Sequence, residues 1–116
     1  MSQYNGNGMN ALKKRRREID RLDADLIRFL NRRARIACEL GVIKVAEGLP
    51  AYDSGREREV LARIRAQNRG PLDAESLTRI FRRIILETRR IGKWSMHQQR
   101  VRYQSKIRGK RYSNGN

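Results

Sequence analysis

Apolar residues recur at Ile19, Leu22, Leu26, Leu30, Ala37 and Leu40, in steps of three, four and seven. That rhythm belongs to one face of an α-helix. From Arg16 to Lys44 there is no proline and one glycine, Gly41. The spacing predicts a first helix from Asn10, a natural N-cap, to about Glu47. Such a helix is about 57 Å long, more than a domain this small covers by itself. A second copy of the same helix is its simplest partner.

Gly48-Leu49-Pro50 ends this helix, with glycine and then proline where a helix stops. A second helix is expected from Ser54 to about Asn68, opened by a capping box of Ser54 and Glu57. It carries Val60, Leu61 and Ile64 inward. Arg69-Gly70-Pro71 reads as a turn. Asp73 then caps a third helix bearing Leu77, Ile80, Phe81, Ile84, Ile85 and Ile91, with Thr88 following Ile84 on the same face. Gly92 weakens that helix, although Lys93 to Tyr103 can prolong it. Residues 1–9 and the ending YSNGN are expected to be disordered. The expected fold is all-α, with one very long helix and two shorter ones completed by dimerisation. The domain would cover residues 10–92, followed by a basic, partly disordered extension over 93–116.

Two polar positions interrupt the apolar stripe of the first helix. Arg33 has the phase of Leu22 and Leu40, and Lys44 that of Leu26. Arg21, Arg28, Arg32 and Arg35 face the other way. No acid on the stripe is placed to pair with Arg33 or Lys44, and a buried unpaired charge is costly. An anionic ligand between them would remove that cost.

Charge widens the picture. The chain has 116 residues, with 28 Lys+Arg against 12 Asp+Glu, a formal net charge of +16. Such a field attracts metabolite anions, nucleic acid and acidic surfaces alike. After Glu87 there is no acid, while Arg89, Arg90, Lys93, Arg100, Arg102, Lys106, Arg108, Lys110 and Arg111 follow. One cysteine, Cys38, precludes an intrachain disulfide and reads as packing. The single His97 offers no zinc cluster. No run reaches the ~20 apolar residues of a membrane span, and MSQYNGNGMN lacks the apolar part of a signal peptide. A cytoplasmic protein with no metal, no cofactor and no membrane partner is the expectation.

The pattern RxxIDxLDxxLIxxLxxRxxxxxxxGxxK, then LPxYDxxREREVL, then LxxIFRxII, resembles the all-helical (AroQ-type) chorismate mutases over roughly residues 12–91. The resemblance implies an intertwined helical homodimer in which each site borrows an arginine from the other chain. It implies the isomerase activity that turns chorismate into prephenate, in the shikimate pathway and aromatic amino acid biosynthesis. Carried over by motif, Arg16 is the arginine donated across the dimer. Arg33 holds a substrate carboxylate, and Lys44 reaches the ether oxygen and a carboxylate. Asp53, Arg56 and Glu57 line the site, with Glu57 facing the ring hydroxyl, and Thr88 stands near a carboxylate. Gly92 departs from the family, which usually has Gln or Glu there as a second group at the ether oxygen.

The chemistry suits these residues. The rearrangement is unimolecular, so it needs a bound compact conformer and a cation where charge develops on the ether oxygen, with no nucleophile. Arg33 and Lys44 are about 16 Å apart along the helix, within reach of one ligand by their long side chains. Plainer readings stand beside these. Glu57 could serve only the capping box, Asp53 the loop, and Arg56 the solvent. Thr88 could be a tolerated polar residue, and Arg33 and Lys44 could snorkel outward. Two further functions remain open. One is a relative of the same fold, an isochorismate-pyruvate lyase or a weak enzyme dependent on a partner protein, which Gly92 favours. The other is nucleic-acid binding by the basic extension, where Trp94, Tyr103 and Tyr112 interleave with cations.

Overall fold

A long stretch free of proline extends readily once nucleated, because each further residue adds a hydrogen bond. The computed structural model describes residues 6–113 and shows this at both ends of the chain. It contains helices α1 (Gly6–Ala46), α2 (Ser54–Gln67) and α3 (Ala74–Ser113), with no strand among the described residues. Helix α1 begins four residues before Asn10, since Gly6 and Gly8 weaken a helix without stopping it. Residues 1–5, the rest of the expected N-terminal tail, lie outside the described residues, as do 114–116. Helix α3 runs for 40 residues, through both Gly92 and Gly109. The expected weak point at Gly92 does not end it.

The ends of the helices follow local chemistry. Gly48 adopts φ +66, Leu49 N–H donates to Lys44 C=O at 2.8 Å, and Gly48 N–H donates to Val45 C=O at 3.3 Å. That is a Schellman closure of α1. Helix α2 is capped by Asp53, not by Ser54 as expected. Asp53 has the extended backbone of an N-cap, φ −131 and ψ 97, and its Oδ1 accepts the Arg56 N–H at 3.0 Å. Ser54 is therefore already helical, and no capping box joins it to Glu57. Asp73 caps α3 as expected, its Oδ1 accepting Ser76 N–H at 2.6 Å. Hydrogen bonding from Ser76 holds the Asp73 carboxyl below its ordinary range.

The chain divides into two units, one ending at Arg32 and the other starting at Arg33. In the first, α1 carries the local pairs Arg15–Glu18 and Arg28–Asp25. Along its stripe Ile19, Leu22 and Leu26 are exposed, Leu22 and Leu26 at 66% and 54%, and Leu30 is half-buried. In the second, α2 packs on α3, where Arg65 Nε donates to Thr78 Oγ1 at 3.2 Å. Met96 is the buried apolar centre, with Thr78 and Thr88 buried beside the helix contacts. A core this small is what the high charge content leads one to expect.

Candidate active site

The C-terminal part of α1 and the middle of α3 meet through glycine. A Cβ at Gly41 would lie 2.7 Å from Gly92 C=O, and one at Gly92 would lie 3.2 Å from Ala37 C=O. Both glycines are buried. Their missing side chains let the two backbones approach directly. Around this crossing, Ser95 Oγ donates to Cys38 C=O at 3.1 Å, and Cys38 Sγ lies 3.8 Å from Ile91 C=O. Cys38 is thus a packing residue at the crossing.

Beside the crossing lies a cavity of about 310 Å³, walled by α1, the 47–53 loop, α2 and α3. It gathers Arg33, Lys44, Asp53, Arg56, Glu57 and Thr88 into one lining. Arg16 is exposed on α1 in the first unit, and the lining starts at Arg33. Arg33 donates to the hydroxyl of buried Thr88, which itself donates to Ile84 C=O at 2.8 Å. Burial, and secondarily the nearby charge of Arg56, push the Arg33 guanidinium below its ordinary pKa. Lys44 Nζ donates to the loop carbonyl of Ala51 at 3.2 Å. Among the described residues, neither Arg33 nor Lys44 has a carboxylate within ion-pair distance. Arg56 lines the cavity but pairs with exposed Glu59 at 3.1 Å. Asp53 is occupied by its capping bond.

Two lining residues escape a reading by motif: Arg89 and Lys93. Arg89 pairs with Glu57 at 3.2 Å, and its guanidinium carbon lies 4.7 Å from the centre of the Tyr52 ring. In the sequence both belong to the run of cations after Glu87. The signal that separates them is periodicity. Ile85, Thr88, Arg89, Gly92, Lys93 and Met96 follow the three-and-four rhythm of one helix face, and all line the cavity. The lining thus holds five cations against Asp53 and Glu57, a net excess suited to a small anion with more than one negative charge.

Residues 15–93 match the family described as chorismate mutase type II. The chain is 41% identical over 81 residues to the bifunctional chorismate mutase/prephenate dehydratase of Aquifex aeolicus, covering 66% of this chain and 22% of that protein. It is 42% identical over 72 residues to the protein of the same description from Neisseria gonorrhoeae, covering 62% and 19%. The chain therefore spans about a fifth of the length of these curated relatives. Among solved structures it resembles the chorismate mutase of Thermus thermophilus. The Form II structure has a TM-score of 0.70 at 32% identity, covering 72% of this chain and 94% of that one. The Form I structure has a TM-score of 0.66 at 35% identity, covering 67% and 98%. The chain belongs to the type II chorismate mutase family. No helix among the described residues is long and apolar enough to cross a membrane.

Proposed function

We propose that this chain is a chorismate mutase that rearranges chorismate to prephenate in the cavity between α1, α2 and α3. The observation that carries the reading is the pair Arg33 and Lys44, which line one cavity without a carboxylate partner. A dicarboxylate supplies what they lack. Arg33, braced by Thr88, clamps one carboxylate. Lys44 exchanges Ala51 C=O for the substrate and stabilises the charge that grows on the ether oxygen as the C–O bond breaks. Glu57 accepts from the ring hydroxyl, and Asp53 and Arg56 shape the α2 end of the site. No group on the enzyme is alkylated or acylated. The acceleration comes from holding the compact conformer and from cations already oriented in a partly dry cavity.

The same proposal assigns the exposed stripe of α1 to a homodimer, in which Arg16 of a second copy completes the site. The exposed Ile19, Leu22 and Leu26 favour it, since an apolar stripe left in water is costly. Gly92 leaves one hydrogen-bonding position empty, so the enzyme should be slow beside relatives with Gln or Glu there. The same glycine favours, as a second reading, an isochorismate-pyruvate lyase or a partner-dependent enzyme of the same fold. The run of cations along the far part of α3 favours an additional contact with nucleic acid or an acidic protein. A cytoplasmic location would fit the pathway. The decisive experiment incubates the purified chain with chorismate and follows substrate loss and prephenate formation. Turnover above the uncatalysed rate supports the proposal. Loss of isochorismate with release of pyruvate, and no prephenate from chorismate, would replace it with the lyase.

A further inference from the structure

Seven ion pairs occur among the described residues, and six of them are local pairs within a single helix, three or four residues apart. The seventh, Arg89 with Glu57, joins α3 to α2 across 32 residues of sequence. It is also the least exposed. Its side chains are 28% and 27% accessible, whereas every other paired side chain is at least 38% accessible. Water and salt therefore screen it less than the others. The same guanidinium lies over the ring of Tyr52, in the loop that leads from α1 to α2. Arginine suits this double task because its flat, weakly hydrated cation can stack on a ring while its edge donates to a carboxylate.

The loop has a second tether, the bond from Lys44 to Ala51 C=O. If Lys44 turns to substrate, as the proposed function requires, that tether opens during turnover. The contact of Arg89 with Tyr52 does not involve Lys44. We propose that Arg89 is a positioning residue: it clamps the Glu57 carboxylate and the Tyr52 ring together, holding the loop and α2 wall of the cavity in place while Lys44 engages its ligand. Arg89 acts through Glu57 and Tyr52, and makes no bond to substrate.

This inference rests on the proposed mutase activity for its kinetic arm and is independent of it for its structural arm. The kinetic arm is a double-mutant cycle on chorismate turnover with Glu57→Gln, Arg89→Met and the double variant. Each single change should lower kcat/KM about tenfold, and the double variant should lose clearly less than the product of the two single losses, because Arg89 acts in part through Glu57. Arg89→Lys should recover part of the loss, since lysine keeps the ion pair and loses the flat stack. The structural arm is amide hydrogen exchange on the ligand-free chain. Arg89→Met and Tyr52→Leu should each speed exchange at least severalfold in residues 47–53, with α3 unchanged. Multiplicative losses in the cycle would mean that Arg89 does not act through Glu57 and would overturn the proposal. Unchanged exchange in the loop would overturn it as well. A wild-type chain without turnover refutes the proposed function, and the exchange measurement still decides the clamp.

Discussion

Lys44 is the residue on which the proposed chemistry depends most. It sits in the last turn of α1 with only a loop carbonyl as partner. Lys44→Ala keeps a strong helix former there and should lower kcat/KM by at least about 10²-fold, the usual loss for one main electrostatic stabiliser. Steady-state kinetics with circular dichroism as a fold control checks this, and near-normal turnover would remove Lys44 from the site. Arg33 makes a different prediction, because its pKa is depressed in the folded chain. A cation so shifted costs stability at every pH below its folded pKa, and the cost is relieved only as pH rises through it. For arginine that window is strongly alkaline, so the cost is present at neutral pH. Arg33→Met should therefore leave the ligand-free melting temperature equal or higher while abolishing turnover. A substrate-like dicarboxylate should raise the wild-type melting temperature and fail to raise that of the variant. A variant that melts well below wild type without ligand would show that the Arg33 bond to Thr88 outweighs its desolvation.

At the scale of elements, two glycines set how closely α1 and α3 approach. Helix propensity alone favours replacing either one, by about 1 kcal/mol for alanine. The crossing reverses that at Gly41, where a Cβ would sit 2.7 Å from a backbone oxygen that cannot swing aside. Gly41→Ala should destabilise the chain by about 1–3 kcal/mol, as overpacked cores do, measured as a lower urea midpoint at unchanged slope. A neutral or stabilising result would mean the helices part easily. At Gly92 the gap of 3.2 Å is tight but less severe. Under the proposed function, Gly92→Gln would offer a second hydrogen-bonding group at the ether oxygen, at the cost of pushing on Ala37. A raised kcat together with a lowered urea midpoint is the outcome expected. A slower enzyme would mean that displacement of α1 moves Arg33 and Lys44 more than the new amide helps.

For the whole molecule, the proposed homodimer would cover the exposed Ile19, Leu22 and Leu26 of α1. Sedimentation at micromolar concentration should give about twice 13.6 kDa. A folded monomer would remove both the dimer and the role of Arg16. The basic extension can be separated from the site only beyond the crossing. Met96 is buried and Ser95 bonds to Cys38, so a cut after Arg90 would remove part of the core. A cut after Arg100 should preserve turnover while weakening retention on RNA or DNA in low salt. Equal retention by the shortened chain would place any nucleic-acid contact elsewhere.

The three helices, and Arg33 and Lys44 among the α1 residues that line the cavity, were legible in the sequence because both follow from local spacing. A helix face is set by steps of three and four, and Arg33 and Lys44 stand out because they interrupt an apolar one. Asp73 as a cap was legible for the same reason, its partner being three residues away. The choice of Asp53 over Ser54 was not, since both can cap and the backbone at Asp53 decided between them. Arg89 looked like one more cation of the acid-free run after Glu87. Only the folding of α2 against α3, which brings Glu57 and Tyr52 to it, gives it a partner and a place. Gly92 looked like a weak point in a helix. Tertiary structure made it a contact, because the energy of a helix-interior glycine depends on what lies within a few ångströms, and here that is the backbone of α1.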